Sequence, residues 1–153
     1  MKHYKDVLNN IYAYESDGSQ DAFIKEGLVP ISDEDLAAMI APTTEQLLSQ
    51  LSAARKEQER QGVTINGIRY AGDPGNRQTL QEAITYIEDA GLAEFPSWKD
   101  SDGVFHQNNP LADVKDAARA IGARRSQLIA AEGEYAAQII AGTLTDLTEV
   151  VWP

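Results

Sequence analysis

The stretch 109–141 limits the possible folds more than any other part of the chain. Leu111, Val114, Ala118, Ile121, Arg125, Leu128, Glu132, Tyr135 and Ile139 recur there at strict 3-4-3-4 spacing, the seven-residue repeat of a helix that packs lengthwise on another helix. Asn109 is suited to accept from a free N–H of the first turn, Pro110 fits the first helical position, and Gly142 supplies a stop. A helix over 110–141 has about nine turns and, at ~1.5 Å per residue, spans roughly 48 Å. A compact chain of this size has a radius of gyration of only about 15 Å. Such a helix overhangs its own domain, so either it bends near Gly122 or Gly133 or a second chain covers the excess. Arg125 and Glu132 place charge on the seam, which weakens it while fixing register or partner; Arg125 can also lay its apolar stem on the seam and keep its head in water.

A companion for this helix is found at 44–61. Thr43 caps it, Gln46 three residues later completes a capping box, and Leu47, Leu51, Ala54 and Gln58 form a stripe flanked by Leu48. Arg55, Lys56, Glu57, Glu59 and Arg60 read as a solvated mixed-charge end. The shared near-heptad period predicts antiparallel pairing of the two helices. The shorter helix leaves about 20 Å of the longer seam uncovered at ~1.5 Å per residue, which predicts self-association, or docking on another chain, with Arg125, Leu128 and Glu132 at the contact.

Between the paired helices, alternating apolar residues on either side of Asn66-Gly67 predict a type I′ hairpin over 63–70. Ala71-Gly72-Asp73-Pro74-Gly75 reads as the lead-out, followed by a third helix over 76–90 with Leu80, Ala83, Ile84 and Ile87 on one face. A second hairpin is predicted over 95–106, turning at Asp100-Ser101-Asp102-Gly103. Residues 143–153 read as a short turn or helix capped by Thr145.

Ahead of this lies a different texture. Residues 1–31 hold short β-like pieces, HYKDV, IYAYE, AFI and LVPI, separated by turn formers. They read as a small β-meander that needs a cover on one face, supplied either by this chain's helices or by a partner. Ser32 then caps a short helix, DEDLAAMIA, which Pro42 ends. The expected class is therefore α+β, organised as a β-meander plus short helix over 1–42 and a helical domain with β-hairpins over 43–153.

Composition narrows the chemistry. The chain has 153 residues, 42% of them hydrophobic, no cysteine and a net charge of −11. That charge divides as −5 over 1–42, −2 over 43–91 and −4 over 92–153, which argues against nucleic acid and anionic membrane surfaces as partners. Disulfides, thiolate metal sites and a cysteine nucleophile are excluded. No apolar run approaches a membrane span or a secretion signal, so a cytoplasmic protein is expected. His3 and His106 lack a second histidine at i+3 or i+4, and Asp100-Ser101-Asp102-Gly103 continues with Val104 and lacks the closing Glu of a calcium loop, Leu111 standing there. Gly72-Asp73-Pro74-Gly75 lacks the lysine of a phosphate loop, and no serine lies in an elbow motif. No enzyme, metal or cofactor is expected. The informative side chains are aromatic: Tyr12, Tyr14, Tyr70, Trp98 and Phe105 fall on short β pieces, as core of the small sheets or as anchors for a partner.

The string KHYKDVLNNIYAYESDGSQDAFIKEGLVPIS resembles the N-terminal segment of the tail fibre assembly proteins of tailed bacteriophages and prophages. The remainder resembles an uncharacterised phage domain through its Leu-rich heptad helix, GVTINGIRYAGDPGNRQTLQEAI, the FPSWKDSDGVFH hairpin with Trp98, Lys99, Asp102 and Gly103 in the matching places, and the closing IIAGTLTDL. The resemblance carries no established functional residues. It implies a chaperone or accessory that binds the tail fibre protein, resident in the host bacterial cytoplasm during assembly or in the virion tail. The alternatives it leaves open are a structural virion subunit of the fibre or baseplate, and an enzyme acting on cell-surface polymer.

Overall fold

The computed structural model describes residues 1–153 as an α+β protein in two compact units, Met1–Pro42 and Thr43–Pro153.

In the first unit, β1 (Lys2–Lys5) pairs antiparallel with β2 (Ile11–Tyr14) and with β3 (Val29–Ile31). The strand order is β2-β1-β3, so the expected meander is corrected. The AFI piece is a 3-10 turn at Asp21–Phe23, and the chain returns past it to pair β3 with the other edge of β1. Asp6 builds the β1–β2 loop, accepting from the backbone N–H of Leu8 and Asn10 and from the Tyr12 hydroxyl. Helix α1 (Asp33–Ile40) is capped by Ser32, whose hydroxyl accepts from Asp35 N at 3.0 Å.

In the second unit, α2 (Thr44–Gln61) carries the Thr43–Gln46 capping box in full. Strands β4 (Val63–Ile65) and β5 (Ile68–Tyr70) form the predicted hairpin, with φ of 49° at Asn66 and 82° at Gly67, as a type I′ turn requires. Helix α3 (Pro74–Asp89) starts two residues before the sequence reading, because Asp73 caps it through Asn76 N and Pro74 takes the first position. Strands β6 (Glu94–Lys99) and β7 (Phe105–Pro110) extend the second hairpin to the edge of α4 (Leu111–Ile140).

That extension corrects the reading of Asn109. It pairs with Phe95 in the β6–β7 ladder, is only 1% exposed, and donates from Nδ2 to the Tyr70 hydroxyl at 3.0 Å. A buried phenol needs a partner, and Asn109 supplies it instead of capping the helix. Pro110 becomes the cap residue, and the first helical N–H, of Leu111, is taken by the Ala93 carbonyl at 3.0 Å.

Helix α4 organises two cores. Its N-terminal half sets Val114, Ala117 and Ile121 against Leu80, Ile84 and Ile87 of α3 and against Tyr70 and Phe95 of the hairpins. Its C-terminal half sets Ile139 against Leu47 and Leu51 of α2, closed by Leu144, Leu147, Val150 and Trp152 from the tail. Leu47 and Leu51 pack with Ile139 while Glu59 reaches Arg125, so α2 and α4 run antiparallel as expected. The overhang does not exist. The part of the seam that α2 leaves is covered by α3 and the two hairpins, and the ground for self-association through that seam falls with it. The tail forms turns with no helix, and Thr145 caps nothing; Asp146 accepts from Thr148 N instead.

Two glycines are fixed by close approach. A Cβ at Gly72 would lie 2.4 Å from the Glu59 carbonyl oxygen and 3.3 Å from Ile121, and one at Gly62, where φ is +69°, would lie 1.8 Å from the Tyr70 carbonyl oxygen. The α2 C-terminus can therefore touch the strands beside it only without side chains at these positions.

Candidate partner-binding surfaces

In Met1–Pro42 no side chain is fully buried. Val7, Leu8 and Phe23 are 92%, 78% and 73% exposed, with Ile11, Val29 and Ile40 also open. Tyr12 and Tyr14 are half-buried on β2. The Tyr14 ring meets that of Tyr4 edge-on at 5.7 Å, and Lys25 Nζ lies 5.3 Å from the centre of the Tyr12 ring. The sheet thus has internal stacking but no core.

In Thr43–Pro153 a groove of about 370 Å³ runs between α3 and β6, lined by Leu80, Ala83 and Tyr86 on one wall and by Phe95, Trp98 and Lys99 on the other, with Tyr70 at its base. The Trp98 ring meets Phe95 edge-on at 4.9 Å and Tyr70 at 5.7 Å. Its indole Nε1 is buried and has no hydrogen-bond partner within the protein, an arrangement that costs about 1–3 kcal/mol until an acceptor arrives. Tyr86 stands 68% exposed at the groove edge, and Phe105, 66% exposed, carries Lys99 Nζ at 5.5 Å from its ring centre. The turn that closes β6 to β7 is tightly tied. Asp100 accepts from Asp102 N, Val104 N and His106 Nε2, the last at 2.8 Å, and the hydrogen bond from His106 is the main cause of an Asp100 carboxyl held below its ordinary range. Arg69 donates from Nη2 to Asp102 Oδ1 at 2.7 Å and to the Ser101 carbonyl. The Asp100-to-Gly103 run is a hairpin turn whose acids are engaged within the protein.

Of the residues singled out in the sequence, Trp98 lines this groove, Phe105 lies exposed beside Lys99, and Tyr70 is buried at the groove base at 2% exposure, where burial pushes its phenol pKa up. Leu128 is 0% exposed within its own chain and offers nothing to a partner. Arg125 and Glu132 both have ionic partners within their own chain. Arg125 Nε lies 3.3 Å from Glu59, and Glu132 Oε2 lies 2.6 Å from Arg55 Nε. The latter is an ion pair by distance in which the N–H is not aimed at the oxygen, since that nitrogen makes no hydrogen bond.

The solvated far end expected for α2 is corrected at the same place. Glu59 is 7% exposed and gathers Arg55 of its own helix, Arg77 of α3 and Arg125 of α4. The signal lay in the i+4 row: from Leu47 and Leu51 it continues through Arg55 to Glu59, so the buried face of α2 turns ionic without leaving the interface. Tyr86 was missed because it stands off the apolar face of α3.

No helix is long and apolar enough to cross a membrane, and no group of three or more acidic or histidine side chains is gathered as a metal site. No curated protein and no solved structure matches the chain. Residues 42–151 match the family model described as a domain of unknown function, DUF4376, which takes in the groove, the ionic cluster and both cores. The chain belongs to the DUF4376 family.

Proposed function

We propose that this protein is an accessory chain of a bacteriophage tail fibre, a chaperone that binds the fibre protein during assembly in the host cytoplasm. The observation that carries the reading is the first unit's lack of any buried side chain, with Val7, Leu8 and Phe23 open. A three-stranded sheet of this size gains little from its own burial, and a partner laid over those side chains would supply what is missing. The likeness of residues 2–32 to the N-terminal segment of tail fibre assembly proteins supports the fibre as that partner. The groove beside Trp98 and Tyr86 offers a second contact surface, rich in large rigid side chains. The ionisable groups bordering it favour binding over catalysis, since Arg69 and Asp100 are engaged by Asp102 and His106.

The test is co-expression with the neighbouring fibre gene. Fibre is expected to become soluble and to co-purify with the wild-type chain. It should lose both properties with Val7→Asp/Leu8→Asp/Phe23→Asp, while the melting of the second unit stays unchanged. Fibre that is equally soluble without the protein, and never co-purifies with it, refutes the proposal. Recovery at fixed stoichiometry in mature particles replaces the chaperone with a structural subunit.

A further inference from the structure

The second unit contains a pocket whose charge runs against the rest of the chain. It has a volume of about 560 Å³ and is lined by Arg55, Lys56 and Arg60 of α2, Arg77 of α3 and Arg125 of α4. Four of the seven arginines in the sequence meet here. The carboxylates on the same walls are Glu57, Glu59 and Asp73, and Glu132 stands behind Arg55. Five cations against four carboxylates leave the pocket positive, in a chain that carries −11 overall.

The donors are not saturated by these acids. Glu59 is buried and has only two oxygens to divide among three guanidinium groups. Arg77 Nη1 lies 3.4 Å from Oε2 and Arg125 Nε lies 3.3 Å from Oε1, both beyond the roughly 2.7–2.9 Å of a tight charge-assisted bond. Asp73 turns its carboxylate to the first turn of α3 through Asn76 N, and Glu57 is held by Arg60 at 2.7 Å. Lys56 is exposed and has no carboxylate partner. The arginines are nonetheless held in place: Arg55 by Glu59 and Glu132, Arg77 by the Gly72 carbonyl at 2.6 Å. Positioned guanidinium groups with spare N–H donors, beside an open volume and the positive end of α3, match the paired oxygens that a phosphate or carboxylate presents to a guanidinium fork.

We infer that this pocket is a binding site for a compact multivalent oxyanion, recognised by Arg77, Arg125 and Lys56, with Glu59 acting as the buried post that orients the arginines. The inference is independent of the fibre-binding role. Phosphate and carboxylate groups share this chemistry, so the test uses one probe of each kind. Isothermal titration of the full chain with pyrophosphate, and separately with citrate, is expected to show saturable one-to-one binding of at least one, and the tighter probe identifies the source. Arg125→Gln and Lys56→Gln each weaken that binding about tenfold. Glu57→Gln, which releases Arg60 and removes a repelling charge, tightens it several-fold. Arg119→Gln, a cation outside the pocket, leaves it unchanged. Because Lys56 and Arg125 are both exposed, their replacement is compatible with a folded chain, which an unchanged far-ultraviolet spectrum verifies. Absence of saturable binding by either probe, or binding that Arg125→Gln and Lys56→Gln do not weaken, overturns the inference.

Discussion

Replacing Glu59 by Gln tests how the helices of the second unit are held together. The side chain is 6% exposed and touches one guanidinium group from each of α2, α3 and α4. Gln keeps the shape and one acceptor oxygen but removes the negative charge, leaving Arg55, Arg77 and Arg125 to repel one another. Breaking a buried ion pair from one side costs about 3–5 kcal/mol. Arg77 and Arg125 retain 28% and 46% side-chain exposure, so partial rehydration brings the expected loss to roughly 2–3 kcal/mol. For a domain of this size, with a total stability of about 5–15 kcal/mol, that corresponds to a fall in Tm of about 8–12 °C. Urea unfolding followed by tryptophan fluorescence is the assay, since Trp98 reports on one core and Trp152 on the other. The midpoint should fall with an unchanged slope, and the deficit should shrink in high salt as the uncompensated guanidinium groups are screened. A loss below about 1 kcal/mol at low salt would mean that the three arginines are solvated without Glu59, and the reasoning would fail.

Leu128→Glu places a charge at a site with 0% exposure and is expected to unfold the second unit by several kcal/mol, seen as loss of helical circular dichroism; a folded monomer would contradict the packing. Gly72→Ala forces a Cβ to within 2.4 Å of the Glu59 carbonyl oxygen and should cost about 2–3 kcal/mol in urea unfolding, whereas Gly133→Ala, which meets nothing, should stabilise α4 by about 1 kcal/mol. The hydrogen bond from His106 lowers the Asp100 pKa, so its contribution is present above the ordinary carboxylate pKa of about 3.9 and is lost as pH falls through the lower folded value. The urea midpoint should therefore decline more gently below about pH 4 in His106→Gln than in wild type, and an identical decline would remove Asp100 from the account.

Features decided within one turn of chain could be read from the sequence. The Thr43–Gln46 box, the Ser32 cap, the Asn66-Gly67 turn and the apolar face of α3 need only neighbours a few residues away. The antiparallel pairing of α2 with α4 was also legible, because both helices carry the same period. What covers the rest of α4 was not. Heptad spacing announces that a face will be buried but is silent on whether another chain or the chain's own α3 and hairpins will bury it. Asn109 shows a related ambiguity, since a capping residue and a core hydrogen-bond partner look alike until Tyr70, 39 residues away, is placed beside it. Of the candidate contacts, Trp98 and Phe105 can be named from residue type alone, and the structure sets Trp98 in the groove wall and leaves Phe105 exposed. The ionic cluster at Glu59 was hidden, because charge on a helix ordinarily signals water.

The path of α4 through two separate cores makes it a shared axle with a charged bearing at mid-length. Residues 111–121 belong to one core and 135–139 to the other; the intervening turns carry Leu128 and the residues that meet Glu59 and Arg55. Communication between the ends therefore runs through a zone whose strength depends on ionic surroundings. In dilute buffer the two ends should open as one foldon in hydrogen exchange. In concentrated salt the bearing loosens, and the α2 end, closed only by a turn-rich tail, should exchange first while the hairpin end stays protected. Salt would then set how many independent pieces this domain has as well as how stable it is.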